Sequence, residues 1–250
     1  MSKEFRLATT IVLLCIVTLS FLSACEFEKE YVCGDFLYSF VGRDHQYIKI
    51  TGLTEQGMNK SVLAIPAEIN GVNVAHVWKA GIGNYGNSIW QAKKLKKLYL
   101  PDCIVNFDQM TLSECTALEY VIILPIADYN EEFNEFLPSV GNDHNLYVFS
   151  DIYFERYKDN WGNSIFPANV TYYYNFERPD NGGVFWLDVV KQGEKIVDLP
   201  PSDPVRDRYT FCGWYTEPEC INKWDFSTDA MSYSDNDEEF YELELYARWL

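Results

Sequence analysis

Leu100-Pro101-Asp102-Cys103-Ile104-Val105-Asn106-Phe107, answered by a second Leu-Pro pair at Leu124-Pro125, is the stretch that decides the fold. A third aliphatic–Pro pair stands upstream at Ile65-Pro66. Proline has no N–H to give to a ladder, so each pair marks the end of a short apolar strand. A second short apolar segment follows each proline: Ile69, Val74 and Val77 after Pro66, then Ile104, Val105 and Phe107 after Pro101. A turn completes the unit. Such a unit cannot bury its apolar face alone and must stack on its neighbours. The last two pairs lie 24 residues apart. The first interval is 35 residues, stretched by an insertion around Gly81–Trp90.

The turn region after Phe107 carries Leu112, Cys115 and Leu118 at intervals of three. With the aliphatic–Pro strand ends, this block resembles the leucine-rich repeats of the BspA-like type found in bacterial surface proteins. The flanks fit. Gly34-Asp35-Phe36-Leu37-Tyr38 and Tyr47-Ile48-Lys49-Ile50-Thr51-Gly52 look like the hairpin that opens such arrays. Leu146-Tyr147-Val148, Tyr157-Lys158 and Trp161 look like the strand and short helix that close them. The resemblance covers residues 34–172. It implies a short leucine-rich-repeat solenoid of two or three stacked units, with a small concave face turned outward.

A different pattern starts at Tyr172-Tyr173-Tyr174. It runs through the turn signal Asn181-Gly182-Gly183, then Phe211-Cys212-Gly213-Trp214-Tyr215, and ends on Leu245-Tyr246-Ala247-Arg248-Trp249. Short alternating runs between Gly and Pro turns read as β-strands. In the last run Leu243, Leu245, Ala247 and Trp249 should face a core, with Glu244, Tyr246 and Arg248 opposite. The Gly-Trp-Tyr core and the Leu-Tyr-Ala-Arg-Trp ending closely resemble the internalin-type B-repeat, also called the Listeria–Bacteroides repeat. That resemblance covers about residues 173–250 and implies a small β-grasp-like module. It brings no catalytic residues with it. Trp214, Trp224 and Trp249 read as packing residues rather than a sugar platform, because large aromatics favour burial.

The N-terminus says where the chain works. A basic start (Lys3, Arg6) and an apolar run from Leu7 to Leu22 precede Leu22-Ser23-Ala24-Cys25. The run is short for a membrane span, which needs about 20 residues. It reads as an export signal. The last four residues resemble the bacterial lipobox, which implies cleavage before Cys25 and lipid transfer to its sulfur. The expected organisation is therefore mainly β with short helices. A lipoprotein signal peptide (1–24) and a lipidated tether (25–33) precede the repeat domain (34–172) and the module (173–250).

Composition excludes several classes. The formal net charge of the 250-residue chain is −17, and an acidic surface repels nucleic-acid phosphates. Five of the seven cysteines, Cys33, Cys103, Cys115, Cys212 and Cys220, lie beyond Cys25. The odd number argues against a fully paired disulfide framework, although Cys212 and Cys220 are close enough in sequence to pair. His45, His76 and His144 have no zinc-ligand spacing, and no Gly-x-Ser-x-Gly occurs. Gly81-Ile82-Gly83-Asn84-Tyr85-Gly86 matches a dinucleotide fingerprint in letters, but no βα alternation follows it. It reads as a Gly-rich loop. Asp235–Glu239 lacks the spaced ligands of a calcium loop. No metal or cofactor is expected.

The expectation is a non-enzymatic, membrane-anchored lipoprotein on the cell surface. Its partners would be the membrane, through the lipid on Cys25, and an unidentified surface protein or glycan met by the array and the module. The alternatives are an exported glycan-active enzyme and a structural spacer with no ligand.

Overall fold

A computed structural model describes residues 29–77, 92–104, 106–107, 112, 114–125, 145–148, 158, 164–177, 183–232 and 242–250. The export signal with Cys25, the Gly81–Gly86 loop, His144, most of the expected closing helix and Asp235–Glu239 lie outside the described residues.

The aliphatic–Pro pairs end strands, as the sequence predicts. Strand β4 (Val62–Ala64) stops before Ile65-Pro66, β7 spans Lys97–Pro101, and β9 (Tyr120–Leu124) stops before Pro125. They are parallel neighbours in one sheet, and β10 (Asn145–Val148) and β11 (Ile165–Pro167) extend it in the order β4-β7-β9-β10-β11. The ladder thus runs past the Leu-Pro pairs. Its register follows the strands rather than the prolines. Tyr99 pairs with Ile122 and Pro101 with Leu124, so the repeat is one residue shorter than the spacing of the two Leu-Pro pairs. The missing N–H of Pro101 is passed over, because the Leu124 carbonyl accepts from the N–H of Asp102 at 3.0 Å.

The second segment of each unit builds the facing sheet. There β3 (Tyr47–Leu53), β6 (Val72–Val77) and β8 (Asn106–Phe107) run parallel. The opening hairpin is β1 (Tyr31–Cys33) with β2 (Phe36–Val41), and β2 pairs antiparallel with β3. Strand β5 (Glu68–Ile69) folds back on β6 through Asn70-Gly71, both in the left-handed region at φ 53° and 77°. That conformation is why an Asn-Gly pair sits there.

Between the two sheets lies the first core. It holds Ile48, Ile50 and Leu53 from β3 and Leu63, Leu98, Leu100, Val121, Ile123 and Leu146 from the repeat strands. Leu112, Cys115 and Leu118 close it from the turn, all buried. The Cys115 N–H bonds Leu112 O and the Leu118 N–H bonds Cys115 O, which is why the buried positions recur every third residue. Ala92 and Leu95 make the same turn one unit earlier.

The third sheet is the module. It has the order β13-β12-β15-β14, from β12 (Val170–Tyr173), β13 (Val184–Asp188), β14 (Phe211–Tyr215) and β15 (Leu243–Trp249). The two central strands are parallel and the outer pairs antiparallel, a β-grasp-like arrangement. Strand β12 straddles the 172/173 division drawn from sequence. Leu243, Leu245 and Ala247 are buried and Glu244 is exposed, as the alternation requires. Gly213 in β14 has φ +108°, a backbone conformation that strains any residue with a Cβ, which is why glycine sits there.

One expectation fails. The outer face of the repeat sheet is not open to solvent. Tyr99, Ile122 and Leu124 share a second core with Val170, Tyr172, Trp186, Leu187, Trp214, Leu243 and Leu245 of the module. The segment joining β13 to β14 contains no helix, and the module covers its sheet only with single side chains such as Val190, Ile196 and Met231. The repeat sheet supplies the rest. The array and the module therefore fold as one unit. Ile122→Ala, at the centre of the shared core, should cost about 2–5 kcal/mol. Tryptophan fluorescence of a chain with Trp78, Trp90 and Trp161 replaced by Phe, which then reports the module, and far-UV circular dichroism should shift together in one denaturant transition; two separated transitions would refute the shared core.

Candidate functional site

The site grows from the start of β7 and the end of β13. Lys97 opens β7, and Tyr99 lies two residues on, on the same face. Asp188 closes β13 after the apolar run Val184-Phe185-Trp186-Leu187 and is wholly buried. Its Oδ1 accepts from Lys97 Nζ at 2.8 Å, from the Tyr99 hydroxyl at 2.8 Å and from the Val189 N–H at 2.7 Å. Lys97 Nζ also meets Asp198 Oδ2 at 3.1 Å. The Tyr99 ring packs on Trp186 with centroids 4.5 Å apart. Burial pushes the Asp188 carboxyl above its usual range, and the Lys97, Tyr99 and Val189 donors offset this only in part. Burial would also lower the Lys97 amine, but the Asp188 and Asp198 carboxylates outweigh it and leave the amine raised. The Tyr99 hydroxyl is raised by burial and by the Asp188 charge, so it stays a donor at any physiological pH.

Outside this junction the array and the module leave a cleft of about 390 Å³. Lys96, Lys97 and Tyr120 border it from the repeats and Lys191, Lys195 and Val197 from the module. Glu119, Glu194 and Asp198 stand among the lysines. A second cleft, about 280 Å³, lies within the module against Phe211, Trp214, Trp224 and Phe226. Trp214 is buried, and Trp224 and Trp249 are partly buried against the second core. That placement makes them packing residues first. The Trp249 indole donates to Tyr174 O at 2.6 Å, and Arg206 lies over the Tyr209 ring at 3.9 Å.

The sequence-derived site residue, Cys25, lies outside the described residues. Cys212 and Cys220 are both free thiols. Cys103 and Cys115 are pushed up to about 12 by burial and behave as small apolar side chains. Burial and then the Lys49 charge lower His76. Among the described residues, no group of three or more His, Cys, Asp and Glu side chains could hold a metal ion. Also among them, no helix is long and apolar enough to cross a membrane.

Sequence reasoning missed Lys97, Tyr99 and Asp188. The signal was present in the runs Leu98-Tyr99-Leu100 and Val121-Ile122-Ile123-Leu124. A strand with one wet face alternates, whereas these are apolar throughout and so call for cover on both faces.

Residues 169–237 match the Listeria-Bacteroides repeat domain family. No curated protein matches the chain. Among solved structures, a leucine rich cell surface protein from Faecalibacterium prausnitzii A2-165 is similar at 16% identity and a TM-score of 0.33, over 49% of this chain and 31% of that one. The T. pallidum leucine rich repeat protein is similar at 18% identity and a TM-score of 0.30, over 58% of this chain and 53% of that one. The chain thus spans from about a third to half of the length of these proteins.

The raised thiols set an alkaline limit. Cys103 and Cys115 titrate at about 12 when folded against 9.0 otherwise, so the unfolded chain loses these protons first. Their contribution to stability is intact below pH 9 and drains away between 9 and 12. Native iodoacetamide labelling at pH 8 should leave Cys115 unmodified. Cys115→Ala should flatten the fall of the denaturation midpoint above pH 9; an unchanged slope would argue against a buried, protonated thiol.

Proposed function

We propose that this chain is a non-catalytic binding protein of a bacterial cell surface, carried at the membrane by a lipid on Cys25. It meets an acidic glycan or protein partner at the cleft between array and module. One observation carries the reading. In a chain of net charge −17, Lys96, Lys191 and Lys195 gather around one concavity. Glu119, Glu194 and Asp198 share the cleft, so cations and carboxylates are matched there instead of outnumbered as in the chain at large, beside the Tyr120 ring and the aliphatic Val62, Val189 and Val197. Such a site suits a ligand with carboxylates and an apolar edge. The repeat sheet acts as scaffold in this reading, because the module covers the face that would otherwise receive a partner. A single acyl chain anchors only marginally, so retention at the membrane needs the several chains of a lipoprotein.

Two measurements test it. Mass spectrometry of the membrane fraction should find an N-terminal lipopeptide beginning at Cys25; an intact Met1 terminus refutes the anchor. Uronate-bearing glycans should bind the full chain more tightly than neutral glycans, and less so in high salt. Exposed charge pairs contribute about 0.2–1 kcal/mol each, so Lys96→Glu with Lys191→Glu should weaken that binding by about tenfold. Equal affinity of the variant, or equal retention of neutral glycans, would remove the cleft from the argument.

A further inference from the structure

Asp188 is wired in a way that an ion pair alone does not require. Among the described residues three donors converge on Oδ1, while Oδ2 is buried and accepts none. A buried polar atom without a partner calls for an explanation. The Lys97 amine stands against this carboxyl group, with only 12% of its side chain exposed. A second carboxylate, Asp198, touches the same nitrogen at 3.1 Å from the cleft side. An amine held on a carboxyl group, an acid–base group on that amine, and two fixed donors on one carboxyl oxygen are the parts needed to make an amide.

We propose that Lys97 and Asp188 condense to an isopeptide bond that ties strand β7 of the repeat array to strand β13 of the module.

The reaction runs from the neutral pair, Lys97 amine and Asp188 carboxylic acid, which differs from the ion pair by one internal proton shift. Burial alone favours the uncharged form, while the Asp188 and Asp198 carboxylates hold the Lys97 amine protonated, so the neutral pair is the minor form from which attack occurs. The Nζ lone pair attacks Cγ, and the C=O π electrons move onto Oδ1. The Tyr99 hydroxyl and the Val189 N–H already point at that oxygen and meet its developing charge. Asp198 holds the departing proton of the attacking nitrogen, which passes across the tetrahedral intermediate to the Oδ2 hydroxyl. The Cγ–Oδ2 bond breaks and Oδ2 leaves as water. One N–C bond replaces one C–O bond, one water is released, and no oxidant or activating group is consumed. Condensation is uphill for free molecules in water, but groups held in contact react with effective molarities of roughly 10⁵–10⁸ M.

The product fits the site better than the reactants do. Its carbonyl keeps the Tyr99 and Val189 donors, its N–H faces Asp198, and the orphaned Oδ2 is gone. Two charges disappear from a largely buried junction. The link also explains the placement of Asp198, which an isolated Lys97–Asp188 pair does not need. The bond removes the Lys97 charge from the cleft border, and its test reads the bond itself whatever the cleft binds.

Peptide mapping of the purified, folded full chain tests the proposal and is indifferent to N-terminal processing. The peptide holding Lys97 should remain joined to the one holding Asp188, at a mass one water below their sum. Finding the two peptides separate, at their linear masses, in the folded wild-type chain overturns the proposal and leaves an ordinary ion pair. Asp188→Ala should give only linear peptides. Asp198→Asn keeps both partners and the fold but removes the proton carrier, so the joined peptide should appear slowly or not at all. If it forms at the wild-type rate, Asp198 is not the acid–base group and the mechanism falls.

Discussion

A parallel sheet that is apolar on both faces must be covered on both faces, and that constraint organises this molecule. Strands β7 and β9 send Leu98, Leu100, Val121 and Ile123 to one side and Tyr99, Ile122 and Leu124 to the other. The facing sheet of the repeats satisfies the first set. Among the described residues, no other element of the repeats covers the second. The module has the complementary problem, a four-stranded sheet whose joining segment offers no helix to cover it. Each exposes what the other lacks, and apolar burial, at about 25 cal/mol per Å², joins them.

Apolar contact is non-directional and does not fix how two sheets meet. The Lys97–Asp188–Tyr99 contact does. Lys97 and Tyr99 share a face of β7, so a slip of one residue would point both into the first core and turn Leu98 toward the module. Burying charge costs more than the pair returns by attraction in many proteins, and an apolar pair of similar volume would hold the sheets as well. What the polar set adds is selection: only one placement of β13 gives Asp188 its three donors. An uncompensated lysine or aspartate in any other placement would be heavily penalised.

Much of this was legible in the residues. The aliphatic–Pro pairs located the repeat strands, and the Leu112, Cys115 and Leu118 spacing located the tight turn. The alternation through Leu243–Trp249 gave the buried side of the last strand. These signals are local, because period and turn chemistry act over a few residues. The junction is not local. Lys97 and Asp188 are 91 residues apart, and each reads alone as one more surface charge. The exact register was also out of reach, since a proline marks the end of a strand without saying which residue lies across from it. The apolar runs in β7 and β9 did state that a second cover was needed. They could not say that the module would be that cover.

Covering the repeat sheet changes what each part can contribute to recognition. A free solenoid offers its concave sheet, and affinity there comes from side chains that alternate outward. Here those positions are Tyr99, Ile122 and Leu124, already committed to the second core. A partner can reach only the rims, where the strand ends of the array and the loops of the module lie side by side. Cleft residues from two elements remote in sequence keep a fixed spacing only if the elements cannot rotate against each other. The shared core and the Asp188 junction supply that rigidity, so the feature that removes the expected binding face also holds the cleft in shape.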